Sequence, residues 1–119
     1  MKTLKQQTVL VLGAGLSGIA AAQLAAREGA NVLLFDEAPA KQLAEHFAPL
    51  LAKGIQCYAD WSSTGWDGSV VPALAIISPG IKPKSKLGLL AANLPCPVIS
   101  ELAFGAKFCR CPMLAVTGS

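Results

Sequence analysis

The feature that most constrains this chain is a glycine loop held between two regular segments. Thr8-Val-Leu-Val-Leu12 is a continuous apolar run, of the kind that suits a strand covered on both faces. It ends at Gly13-Ala-Gly15-Leu-Ser-Gly18, and residues 17–28 then read as an alanine-rich helix stopped by Gly29. Each glycine has a reason in that setting. Gly13 allows a tight turn, Gly15 lets a phosphate approach the backbone with no Cβ in the way, and Gly18 lets the helix pack close. The free N–H groups and positive dipole end of such a helix favour an anion. Ser17 is placed to cap the helix and to offer its hydroxyl to a ligand.

Strands and helices alternate along the rest of the chain. Apolar runs at residues 31–35, 55–59, 74–77 and 97–100 read as further strands, with helices over 40–53, 85–93 and 101–107. Pro49 is expected to bend or split the second helix. Residues 60–69 are turn-rich, with Trp61 and Trp66 covering a sheet edge, and 113–116 is a sixth apolar run. This order predicts an α/β, Rossmann-like doubly wound domain. Its sheet is five-stranded and mostly parallel, with helices on both faces and the first strand central. Asp36 ends the second strand eighteen residues after Gly18, where such folds place a carboxylate that accepts bonds from a nucleoside. Its charge also opposes a nucleotide 2′-phosphate. The residues therefore point to a nucleotide diphosphate at a helix N-terminus. NAD, FAD and nucleotide sugars all remain open, because fold does not choose among them.

Composition removes other classes. The chain has 119 residues, the size of one domain, and is 53% hydrophobic and 14% charged, which excludes disorder as its main state. A net charge of +3 with scattered basic residues argues against nucleic acid. Lys82, Lys84 and Lys86 read as a solvated loop. No run approaches the ~20 apolar residues of a membrane span, and the polar first eight residues do not resemble a secretory signal, so a cytoplasmic location is expected. Cys109 and Cys111 are separated by one residue rather than two, Cys57 and Cys96 form no matching pair, and His46 is the single histidine. No metal is expected, and the cysteines read as reduced thiols.

Four segments carry a family resemblance. Val11-Leu-Gly-Ala-Gly-Leu-Ser-Gly-Ile19 resembles the opening of the Mur ligases, which build the peptidoglycan stem peptide. Ile77-Ser-Pro-Gly-Ile81 and Val98-Ile-Ser-Glu-Leu102 resemble the branch that adds D-glutamate to UDP-N-acetylmuramoyl-L-alanine. Pro112-Met-Leu-Ala-Val-Thr-Gly-Ser119 resembles the approach to that family's ATP loop, T-G-(T/S)-x-G-K-(S/T). The resemblance covers the whole chain in order. It implies a UDP-substrate-binding domain over residues 1–110, with 111–119 opening a central ATP-binding domain. Gly13, Gly15, Leu16, Ser17 and Gly18 would meet the diphosphate, Asp36 and Glu37 the uridine, and Ser78, Pro79 and Gly80 would come close to the nucleotide. Glu37 departs from the small polar or basic residue commoner at its position. Thr117, Gly118 and Ser119 would begin the ATP loop, whose lysine and magnesium ligands lie beyond them.

By the same resemblance, the parent enzyme uses ATP and Mg²⁺ to phosphorylate the L-alanine carboxylate, and the amine of D-glutamate attacks the acyl phosphate. The fragment itself would hold no catalytic residue and no cofactor, and would bind only one end of the substrate. Residues 113–116, deprived of their own domain, are expected to be disordered, swapped or docked on a neighbouring chain. The competing reading is an NAD- or FAD-binding module of an oxidoreductase. It accounts for the glycine loop but not for the SPGI loop or the AVTGS end. A third reading, a regulatory domain with a vestigial fold, binds no nucleotide.

Overall fold

Strand β1 (Thr8–Leu12) forms the axis of the molecule, and Val9, Leu10, Val11 and Leu12 on it are fully buried. The structure, a computed structural model, describes residues 5–60 and 71–108. After β1 come α1 (Leu16–Arg27), β2 (Asn31–Phe35), α2 (Ala40–Ala52), β3 (Gln56–Tyr58), β4 (Leu74–Ile77), α3 (Lys86–Ala92), β5 (Val98–Ser100) and α4 (Glu101–Phe108). The five strands form one parallel sheet in the order β3-β2-β1-β4-β5. The Rossmann-like expectation, with the first strand central, is what the backbone shows.

The period-two alternation of strand side chains sorts the core into two layers. Val9, Val11, Val32, Leu34 and Ile76 point to one face, under Ala22 and Ala25 of α1, Phe47 and Leu50 of α2, and Phe104 of α4. Leu10, Leu12, Leu33, Phe35 and Ala75 point to the other, where α3 supplies Leu87. Both faces are thus covered, which is why β1, β2 and β4 read as unbroken apolar runs. Burying each large aliphatic side chain contributes about 1.5–3 kcal/mol against exposure.

Local chemistry sets several element ends. Ser85 caps α3, its Oγ accepting from the Gly88 N–H at 3.1 Å. Ser100 does the same for α4, accepting from the Ala103 N–H at 3.1 Å. Two expectations are corrected. Ser17 does not cap α1: the N-cap is Gly15, and no side chain caps that end. Pro49 does not split α2, which runs on to Ala52. The bond that Pro49 cannot donate would go to the Glu45 carbonyl, and both residues are exposed, so water can satisfy the freed group. His46 is exposed on the same helix. The boundary near residue 110, the run at 113–116, Trp61, Trp66, Cys109, Cys111 and the segment Thr117-Gly118-Ser119 lie outside the described residues.

Candidate functional site

Parallel strands deliver their carboxyl ends to one edge, and β1 lies where the chain order reverses, between β2 and β4. Open α/β sheets offer a crevice at that edge. Three loops meet there: residues 13–17 after β1, 36–38 after β2 and 78–81 after β4. Backbone bonds extend the sheet into them. The Gly13 N–H donates to the Phe35 carbonyl at 2.8 Å, and the Ser78 N–H donates to the Leu12 carbonyl at 3.1 Å.

The glycines divide the work unequally. Gly13 has φ +109°, and a Cβ there would stand 2.9 Å from the Ser78 Cβ. It is both a left-handed turn and the point where the first and third loops touch. A Cβ on Gly18 would run into the Gly13 carbonyl oxygen, so Gly18 lets α1 close down on the loop. Gly15 is different. It is exposed, its backbone is extended, and a Cβ there would meet nothing within 4 Å. The open space lies over the start of α1. The first intrahelical donor at this end is the Ile19 N–H, which reaches the Gly15 carbonyl at 2.9 Å. The N–H groups of Leu16, Ser17 and Gly18 therefore have no partner within the helix, and with the helix dipole they form an electropositive end. Leu16 is 85% exposed beside them.

The acids after β2 are tied into this edge. Asp36 accepts from the Ala14 N–H through Oδ2 at 2.7 Å and from the Ala38 N–H through Oδ1 at 2.8 Å. It clamps the glycine loop to the end of β2, and each oxygen keeps a further lone pair. Glu37 accepts from the Leu87 N–H through Oε2 at 3.0 Å, so it fastens the start of α3 to the same edge. In the third loop, the Gly80 N–H lies 3.5 Å from the Ser78 Oγ, and Pro79 and Gly80 are exposed. The edge brings together Gly13, Gly15, Leu16, Ser17, Gly18, Asp36, Glu37, Ser78, Pro79 and Gly80.

Sequence reasoning assigned no role to Glu101. This first residue of α4 packs against α1, beside Ser17 and Gly18. Its Oε2 is buried without a hydrogen-bond partner and lies 3.2 Å from the point a Gly18 Cβ would occupy. Burial raises the pKa of the Glu101 carboxyl above its ordinary value, and a hydrogen bond from Ser17 opposes the rise. Burial also lifts Cys57 to about 11 and Cys96 above its usual value, so both thiols stay protonated at neutral pH. Among the described residues no three His, Cys, Asp or Glu side chains gather into a metal site, and no helix is long and apolar enough to cross a membrane.

Comparison with known proteins adds three findings. The family model of NAD(P)-binding Rossmann-like domains matches residues 11–40. A UDP-N-acetylmuramoylalanine–D-glutamate ligase of Chloroherpeton thalassium is 32% identical over 117 residues, covering 98% of this chain and 24% of that protein. Ligases of the same name from Acidobacterium capsulatum and Oleidesulfovibrio alaskensis are 33% and 35% identical, over 98% and 92% of this chain. The chain is related to the UDP-N-acetylmuramoylalanine–D-glutamate ligases. It spans about a quarter of the length of these ligases. Among solved structures, a shikimate dehydrogenase from Aquifex aeolicus aligns with 96% of this chain and 53% of its own, at 17% identity and a TM-score of 0.45.

Proposed function

We propose that this chain is the UDP-binding domain of a ligase that joins D-glutamate to UDP-N-acetylmuramoyl-L-alanine. One observation carries the reading. The dinucleotide-binding model accounts for residues 11–40, which is the strand, glycine loop, helix and strand that many nucleotide-binding domains share. The ligases account for 92–98% of the chain, including the SPGI loop and the segment around Glu101, which a generic dinucleotide module leaves unexplained.

The roles follow from the chemistry at the sheet edge. The unpaired N–H groups of Leu16 and Ser17, with the Ser17 hydroxyl, would receive the diphosphate, and Gly15 leaves room for it. Gly13 and Gly18 shape that loop. The remaining lone pairs of Asp36, with Glu37, would meet the uridine. Ser78, Pro79 and Gly80 would close the edge on the third side. ATP, Mg²⁺ and D-glutamate belong to the rest of the parent enzyme, where ATP would activate the L-alanine carboxylate for attack by the D-glutamate amine. Thr117, Gly118 and Ser119 would contribute the start of the phosphate loop. The parent would act in peptidoglycan synthesis in the cytoplasm.

The second reading, an NAD- or FAD-binding module, draws on the match over residues 11–40. Amide NMR separates the two. Titration with UDP-N-acetylmuramoyl-L-alanine is expected to shift Leu16, Ser17, Asp36 and Gly80, while NADH leaves them in place. Saturable shifts with NADH alone would overturn the proposal.

A further inference from the structure

A groove of about 660 Å³ runs between α1 and α4. Its mouth at the glycine-loop end is formed by Ser17, Pro79, Ser100 and Glu101, and its depth is apolar, with Leu24 and Phe104. Glu101 is the acid of this groove, and Arg27, from the far end of α1, is its one other charged wall residue among those described. β4 and β5 place no charged side chain against it. Three facts meet at the Glu101 carboxyl. It shares the groove mouth with Ser17, it sits over Gly18 in the first turn of α1, and its Oε2 is buried with no donor. A carboxylate facing a helix N-terminus is well placed while that end is empty. It becomes a like charge once an anion arrives at the same N–H groups.

We propose that Glu101 is a positioning residue of the diphosphate site: it orients the Ser17 hydroxyl, and it holds its proton more tightly, drawing a fraction of a proton from solvent, when a diphosphate occupies the start of α1. This rests on the UDP-binding reading above. The uptake follows from linkage. An anion beside the carboxyl raises its pKa, so the bound state holds more proton than the free state, and affinity must fall as pH rises between the two midpoints. The direction of the ligand-free value fits, because desolvation already raises it and brings the transition closer to neutral pH. Ser17 would act as a gauge. While ionised, Glu101 takes the Ser17 hydrogen, and once protonated it releases that hydroxyl to the ligand.

The test is a carboxyl-¹³C NMR titration of the four glutamates from pH 4 to 8, with and without UDP-N-acetylmuramoyl-L-alanine. The doubly esterified diphosphate of this ligand does not titrate in that range. Glu101 is expected to titrate above the ordinary glutamate value, and to move up by about one unit on binding, equivalent to about a tenfold change in affinity. The wild-type Kd should rise across that window, whereas Glu101→Gln should bind with a flat pH profile. Ser17→Ala should raise the ligand-free Glu101 midpoint, a readout that needs no ligand and reports on a folded chain. UDP-induced shifts with an unchanged Glu101 midpoint would overturn this inference alone. No shift by the UDP ligand at any pH, in either protein, would overturn both it and the UDP-binding reading.

Discussion

At the scale of the residue, two glycines three positions apart carry opposite constraints. A methyl group on Gly18 collides with the Gly13 carbonyl, whereas one on Gly15 enters open space from a backbone that any residue can adopt. Gly18→Ala should therefore cost about 1–3 kcal/mol by overpacking, read as a fall in urea midpoint. Gly15→Ala should leave stability unchanged or raise it by about 0.4–1 kcal/mol through the unfolded chain. It should still weaken UDP binding at least tenfold, because the methyl occupies the space the diphosphate needs. Equal affinity for wild type and Gly15→Ala would remove the phosphate from this loop. Cys57 gives a second residue-level prediction. Its thiol is half-buried, lies 3.7 Å from the Ile55 carbonyl oxygen, and is raised to about 11. Its alkylation by iodoacetamide should be slow at pH 7 and accelerate about tenfold per pH unit up to that value. The linkage runs the same way. A folded-state value above the unfolded one favours the folded state below pH 9, and this contribution is lost as pH rises from 9 to about 11.

At the scale of the element, the regular parts of the fold were legible and their fastenings were not. Unbroken apolar runs locate β1, β2 and β4 because those strands are covered on both faces. The Ser85 and Ser100 caps follow familiar helix-start chemistry. The expected third strand, residues 55–59, contracts to Gln56–Tyr58, because a sheet edge pairs on one side only. The bonds that assemble the site span distances that periodicity does not encode. Asp36 meets Ala14 across 22 positions and Glu37 meets Leu87 across 50, while Glu101 reaches Gly18 from the far end of the chain. Local reading gave Ser17 to the α1 cap because serine favours that position. The structure instead leaves that helix end without a side-chain cap and sets Ser17 in one groove with Glu101, a neighbour that no spacing rule connects to it. The Glu37 bond is testable at this scale. Leu87 is buried, so removing its acceptor leaves an N–H of the first turn of α3 without a partner. Glu37→Ala should cost about 0.5–2 kcal/mol, as loss of a helix cap does. It should speed hydrogen exchange in α3 before the rest of the sheet, while Glu37→Gln retains most of the protection. Uniform loss across the sheet would show that the bond does not act on α3 alone.

At the scale of the whole molecule, β1 serves two roles through one chain segment. Its side chains fill both layers of the core, and its carboxyl end feeds the glycine loop. The two roles are mechanically separable, because the loop is fixed by backbone bonds from Gly13 to Phe35 and from Ser78 to Leu12, and by the Asp36 clamp. None of these depends on the bulk of a β1 side chain. Leu10 tests the separation. It is fully buried in the layer that contains Leu33, Ala75 and Leu87, and it lies two residues before Leu12. Leu10→Ala should cost about 2–5 kcal/mol, the lost transfer energy plus the cavity left behind. That is a large share of the 5–15 kcal/mol typical of a domain. Measured well below its lowered unfolding temperature, the variant should still bind the UDP ligand within about twofold of wild type, because RT ln 2 is only about 0.4 kcal/mol of site distortion. A folded Leu10→Ala variant whose affinity falls tenfold would mean that the core sets the loop geometry through side-chain packing. The site would then be built by the interior of the sheet as well as by its edge.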